Sequence, residues 1–257
     1  MRSFFTLLCL VLIAGLVGCT QPVSDPVEVE IDHSEMTIMT GTIYETEVHT
    51  FVTNVDGPRV VIVGGIHGDE IAGWTAGLEL LEFDYKKGSY LIIPQASILA
   101  CQLGKRYPGQ GNNGQYNEVT YEDLNRVFPG SASGSATGML AYAIISAVSD
   151  FNPDVIIDLH ESKDSYTNGY LGDSVIYGNV KTALFALEMT EEMNANHITA
   201  TDTPFHAENS APEGSFNHYC GQTFDALVMT FETNRKLDFS RRFDQQMDLI
   251  QILFNKI

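Results

Sequence analysis

The stretch Val60-Val61-Ile62-Val63-Gly64-Gly65-Ile66-His67-Gly68-Asp69-Glu70 decides how the chain is read. Its first half is an unbroken, mostly β-branched apolar run, the pattern of a strand covered on both faces and therefore of a sheet packed between helices. Its second half turns abruptly to glycine and polar residues, so His67 and Glu70 stand where strand gives way to loop or helix. In open α/β sheets, binding sites form at such strand ends. An imidazole and a carboxylate so placed can grip one cation.

Two segments further along repeat the pattern. Residues 153–159 run into Asp158-Leu159-His160-Glu161-Ser162, and residues 225–231 run into Thr230-Phe231-Glu232-Thr233. Residues 90–94 are a weaker fourth strand. Residues 35–53 alternate polar with apolar (Met36, Ile38, Ile43, Val48, Phe51), which predicts one or two half-buried antiparallel strands at a sheet edge. Phe243, Met247, Ile250 and Phe254 recur at helical spacing, and residues 139–148 and 180–193 also predict helices. The expected fold is α/β, a mixed and mostly buried β-sheet flanked by helices. Residues 100–122 and 199–221 are rich in Gly, Asn, Pro and Tyr without a sustained period, and are expected to be long functional loops.

With 257 residues and 44% hydrophobic side chains there is material for a substantial core, which excludes a disulfide-stapled miniprotein and wholesale disorder. Fourteen Lys and Arg against 33 Asp and Glu leave a net charge of -19, which repels phosphate backbones, so no nucleic-acid partner is expected.

Residues 1–18 are set apart from the fold. Arg2 is followed by an apolar run too short to span a bilayer, ending in Leu16-Val17-Gly18-Cys19. This ending resembles the bacterial lipoprotein box, which implies a signal peptide over 1–18, lipidation at Cys19 and an extracytoplasmic protein held to a bacterial membrane by its lipid alone. A plain signal peptide or an uncleaved anchor is the alternative. Residues 19–30, with prolines and acids and no large aromatic, are expected to be a tether, leaving one catalytic domain over 31–257. Cys101 and Cys220 are then the remaining cysteines, and an oxidising compartment permits a bridge between them.

Of seven histidines, only His67 and His160 end a buried-type strand; His33, His49, His197, His206 and His218 do not. Together with Glu70 they form a two-histidine, one-glutamate set, the donors of catalytic zinc, which leaves a position for water. Taken alone, His-x-x-Glu is a spacing that chance supplies often. In Asp123-Leu124-Asn125-Arg126-Val127-Phe128-Pro129-Gly130, Arg126 is the sole Lys or Arg between Arg106 and Lys163. Its guanidinium, with the Asn125 amide, suits a substrate carboxylate; a salt bridge to Asp123 or Glu122 is the structural alternative. Glu232 at the end of its strand can take a proton from water and deliver it to a leaving amine.

In this order the motifs His67-x-x-Glu70, Asp123-Leu-Asn125-Arg126, Asp158-Leu-His160 and Glu232 resemble the zinc carboxypeptidase superfamily, closest to its succinylglutamate desuccinylase/aspartoacylase branch. The resemblance implies one zinc ion held by His67, Glu70 and His160, a substrate carboxylate on Asn125 and Arg126, and Glu232 as general base and acid. The branch often carries an Arg shortly before Asp-Leu-Asn-Arg, where this chain has none; Arg106 is the nearest substitute for polarising the scissile carbonyl. The additional β domain of aspartoacylases is not expected here, because little of the sequence follows the last predicted helix. Tyr166, Tyr170 and Tyr219 stay open as a further hydrogen-bond donor.

The expected activity is zinc-dependent hydrolysis of an amide in a small molecule or peptide with a free carboxylate: an N-acyl amino acid, a peptide or a cell-wall fragment. The alternative is a non-catalytic surface lipoprotein that binds a ligand or metal in the same pocket.

Overall fold

A computed structural model describes residues 28–108 and 123–257. Residues 1–27, which include the expected signal peptide, the expected lipidation site Cys19 and most of the expected tether, and residues 109–122 lie outside the described residues. Eight strands form one sheet: β1 (Ile31–Ile38), β2 (Thr46–Thr53), β3 (Arg59–Gly64), β4 (Ser89–Ile93), β5 (Val155–Ser162), β6 (Ser174–Tyr177), β7 (His206–Glu208) and β8 (Leu227–Asn234), in the order β1-β2-β4-β3-β5-β8-β6-β7. The inner strands β4, β3, β5 and β8 run parallel, while β1, β2 and β6 pair antiparallel. The mixed, mostly buried sheet expected from sequence is therefore present.

Six helices flank it: α1 (Ile71–Glu79), α2 (Ile98–Leu103), α3 (Ala136–Phe151), α4 (Val180–Asn196), α5 (Phe216–Thr223) and α6 (Phe239–Lys256). Side-chain alternation divides the core in two. Val60, Ile62, Ile157, Leu159, Met229 and Phe231 face α1, α4 and α6. Val61, Val63, Ile156 and Val228 face α3 and α5. From β3 the chain passes through α1 to β4 on one side, while β5 lies on the other. A crevice thus opens at the carboxyl ends of β3 and β5, the place where parallel sheets build sites.

The expected change from strand to loop ahead of His67 is in place: β3 stops at Gly64, because Gly65 adopts φ +70 and turns the chain outward. Other sequence expectations need correction. Residues 100–103 close α2, and 199–221 contains β7 and most of α5, too short to show a period. Alpha5 is instead announced by Ser215, whose side chain accepts from His218 N. Helix α6 carries the expected stripe, with Ile250 buried and Phe243, Met247 and Phe254 packed partly buried against the core, but its buried face also includes Gln245 and Gln246, which the apolar period does not mark. Cys101 and Cys220 are separate buried thiols. Among the described residues no helix is long and apolar enough to cross a membrane.

Candidate metal centre and active-site cleft

The glycines around His67 set its position. A Cβ on Gly68 would lie 2.0 Å from Ala100 C, so only glycine lets the loop press against α2. His67 is thereby directed into the crevice, and Glu70 stands at the N-terminal boundary of α1 with its side chain turned to the site rather than to the helix. His160 lies within β5, two residues before its end, with Glu232 of β8 beside it in parallel register and on the same face.

The three expected ligands converge. His67 Nδ1 lies 2.9 Å from Glu70 Oε1 and 3.1 Å from His160 Nδ1, and His160 Nδ1 lies 2.6 Å from Glu70 Oε2. All three residues are buried, and they can hold a metal ion. Ligands at 2.0–2.1 Å in a tetrahedral shell stand about 3.3 Å apart, so little movement would be needed. The far nitrogens are also engaged: His67 Nε2 meets Asp123 Oδ1 at 2.9 Å and His160 Nε2 meets Asp158 Oδ2 at 2.9 Å. If each Nε2–H donates to its aspartate, both Nδ1 lone pairs aim at Glu70 and at each other. Acceptors facing acceptors call for a cation.

Proton affinities follow the same logic. Burial pushes the Glu70 carboxyl up, but the charges and hydrogen bonds of His67 and His160 outweigh it and hold it well below the usual range. Burial lowers His160, yet Asp158 and Glu70 raise it well above an ordinary imidazole. Burial raises Asp123 too, and is overcome by His67 and Arg106. Burial pushes Glu232 up to about 8, with His160 opposing and Glu70 and Asp158 adding to it. Four acidic side chains around two imidazoles and Arg106 form a site suited to a divalent ion.

The cleft is about 690 Å³ and is lined by the metal-centre residues, Arg106, Asn125, Arg126, Tyr166, Tyr170 and Glu232 among others. Arg106 sits at the site, but its guanidinium is paired with Glu70 Oε1 at 2.9 Å and Asp123 Oδ2 at 3.5 Å. Asn125 is partly committed: its Oδ1 accepts from Phe216 N at 2.9 Å, at the start of α5, while Nδ2 lies 3.4 Å from His160 Nε2. Arg126 is exposed and donates to the Asn125 carbonyl; among the described residues no carboxylate pairs with it. Asp123, one alternative partner for Arg126, is taken by His67 and Arg106. Tyr219 lines a separate groove behind Arg126, which leaves Tyr166 and Tyr170 in the cleft.

Asp123 and Asp158, part of the sequence motifs but given no role by them, hold the outer nitrogens of the two histidines. The signal was present, since each opens an Asp-Leu-x motif, and a histidine ligand needs an acceptor for its other nitrogen.

Comparison with known proteins shows the family and the fold. The family model for the succinylglutamate desuccinylase/aspartoacylase catalytic domain matches residues 56–250. An N-alpha-acetyl-L-2,4-diaminobutyric acid deacetylase of Halomonas elongata is 35% identical over 115 residues, 43% of this chain and 30% of that relative, so the match spans less than a third of its length. A succinylglutamate desuccinylase from Silicibacter sp. TM1040 superposes with a TM-score of 0.65 at 17% identity, covering 88% of this chain and 66% of that one. Helicobacter pylori Csd4, a D,L-carboxypeptidase in an mDAP-bound form, superposes with a TM-score of 0.65 at 20% identity, covering 77% and 50%.

Proposed function

Since the chain belongs to the succinylglutamate desuccinylase/aspartoacylase catalytic-domain family, we propose that it is a zinc-dependent amide hydrolase acting on a small molecule or peptide with a free carboxylate. The convergence of His67 Nδ1, His160 Nδ1 and the Glu70 carboxylate, with each imidazole's other nitrogen met by an aspartate, carries this reading. Two histidines and one glutamate are the donors of catalytic zinc, which when bound lowers the pKa of a coordinated water towards ~7 and polarises a carbonyl.

The chain's own residues supply the rest. Glu232, beside His160, takes the proton of the attacking water as the new C–O bond forms, and passes it to the departing nitrogen as the C–N bond breaks. Burial raises its proton affinity, which suits a group that must hold a proton between two transfers. Arg126, exposed at the cleft wall, binds the substrate carboxylate and fixes the carbonyl in reach. Arg106, anchored on Glu70 and Asp123, puts positive charge where the carbonyl oxygen becomes negative. Asn125, held in place through Oδ1 by Phe216 N, offers its Nδ2 amide to the same substrate carboxylate.

N-acyl amino acids, peptides and cell-wall fragments with a terminal carboxylate are the substrate classes, and the lipoprotein-like residues 1–19 support an extracytoplasmic, lipid-anchored setting that favours the last two. Incubating the zinc-loaded protein with a panel of all three should release an amine from at least one. Stoichiometric zinc without turnover on any amide would overturn hydrolysis in favour of a binding lipoprotein.

A further inference from the structure

His160 faces the cleft, but the residue after it does not. Alternation along β5 sends Glu161 to the opposite face of the sheet, beneath α6. There its fully buried carboxylate pairs through Oε1 with Arg242 and accepts through Oε2 from Ala72 N at 2.8 Å, in the first turn of α1. Its own backbone N–H donates to Glu70 Oε2 at 2.9 Å. One turn along α6 from Arg242, the buried Gln246 donates to the His160 carbonyl at 2.7 Å. Just before α6, Arg235 pairs with Asp69 at 2.6 Å, inside the His67–Glu70 loop.

These contacts are costly. Burying a carboxylate and a guanidinium is expensive even when they pair, and apolar side chains of the same size would hold a helix on a sheet at least as well. Arg242 Nε and Gln246 Oε1 are buried without hydrogen-bond partners, so α6 does not even satisfy its own polar groups here. What the arrangement does provide is position. Every segment carrying a ligand is tied to the chain between β8 and the second turn of α6.

We propose that α6, through Arg242 with Glu161 and through Gln246, is a positioning element that holds His67, Glu70 and His160 in register for the ion from the face opposite the cleft. The inference rests on the metal-site reading above.

The test uses the full chain and measures zinc affinity by competition with a chromophoric chelator, alongside the Tm of the metal-free protein. Arg242→Met and Gln246→Leu should each weaken zinc binding roughly 10–100-fold, the usual effect of removing a group that orients a ligand. Leu249→Ala, a buried position on the same helix, should lower the Tm and leave zinc affinity unchanged. Arg242→Lys should recover part of the loss, and the visible spectrum of the cobalt-loaded Met and Leu variants should change. Wild-type affinity in both variants, or an equal loss in Leu249→Ala, overturns the proposal. Should Arg242→Met fail to fold, Gln246→Leu decides. Failure of the underlying reading is separate: wild-type protein would bind no zinc, or His160→Ala would bind it as before.

Discussion

The molecule contains two pairs of neighbouring histidines, and their difference shows what suits one of them to hold a metal ion. His67 and His160 approach through Nδ1 at 3.1 Å, with Glu70 between them and an aspartate on each outer nitrogen. His33 and His49, on the β1–β2 hairpin, approach at 3.3 Å, Nε2 to Nδ1. Their nearest carboxylates, Glu35 and Glu47, lie 3.9 and 3.7 Å from His49 and are at least half exposed. His33 stacks on Phe51 with 4.2 Å between ring centroids. In this second pair one ring can donate to the other, and nothing obliges both to present lone pairs. Proximity of imidazoles is common to both; the fixed outer partners are not.

The sharpest way to break this comparison is to delete one ring from each pair. His160→Ala should reduce bound zinc from about one equivalent to almost none, with elemental analysis as the readout, whereas His33→Ala should leave the stoichiometry as it is. If the hairpin variant loses the metal instead, the two pairs have been assigned the wrong way round.

Glu232 separates holding a metal from using it. Glu232→Gln should keep full zinc occupancy while kcat on the best amide substrate drops on the order of 10²–10⁴-fold. Turnover near the wild-type rate in a metal-loaded sample would remove Glu232 from the proton-transfer role.

The outer partners can be tested directly. Asp158→Asn and Asp123→Asn should each weaken zinc about 10–100-fold by releasing the imidazole they orient. Chelator competition that found both variants unaffected would reduce the contrast between the pairs to burial alone.

A buried acid without a histidine opposite it offers a pH test. Asp173 accepts from Asn234 N at 2.9 Å, and its other oxygen is buried with no partner. Burial pushes its pKa up to about 6, the Asn234 N–H opposes, and Asp202 adds to the rise. The folded protein therefore keeps a proton that the unfolded chain releases near the ordinary aspartate value of about 4. Stability from this group is full below about pH 4 and is lost as pH rises through about 6. Asp173→Asn should match wild type at pH 4 and exceed it at pH 7, by on the order of 2 kcal/mol in denaturant unfolding. Equal stability at pH 7 would mean that the buried charge is compensated.

The smallest expected effect is at the hairpin. His33→Ala should cost no more than about 1 kcal/mol, because it removes only a partly exposed stack and hydrogen bond.

Much of the centre was legible in the chain because its ligands follow apolar strands, and an apolar run that breaks into Gly-Gly-Ile-His or Asp-Leu-His marks both strand and site. Glu232 was legible for the same reason. Arg242 and Gln246 were not. The period of α6 draws attention to Phe243 and Met247, and nothing linear reveals that the polar residues beside them reach through to β5. Arg106 was legible as a cation near the site, but its pairing with Glu70 and Asp123 depends on how the loop returns, which spacing does not encode.

Glu28 and Glu30 are held to Asn54, at the end of the sheet where β3 and β5 begin. The residues that would hold a metal lie towards the other end of those strands, with His160 five residues, roughly 17 Å, along β5 from Val155. The described chain thus starts at one pole of the sheet and opens its cleft towards the other, so immobilising the protein through Glu28 would leave the mouth free.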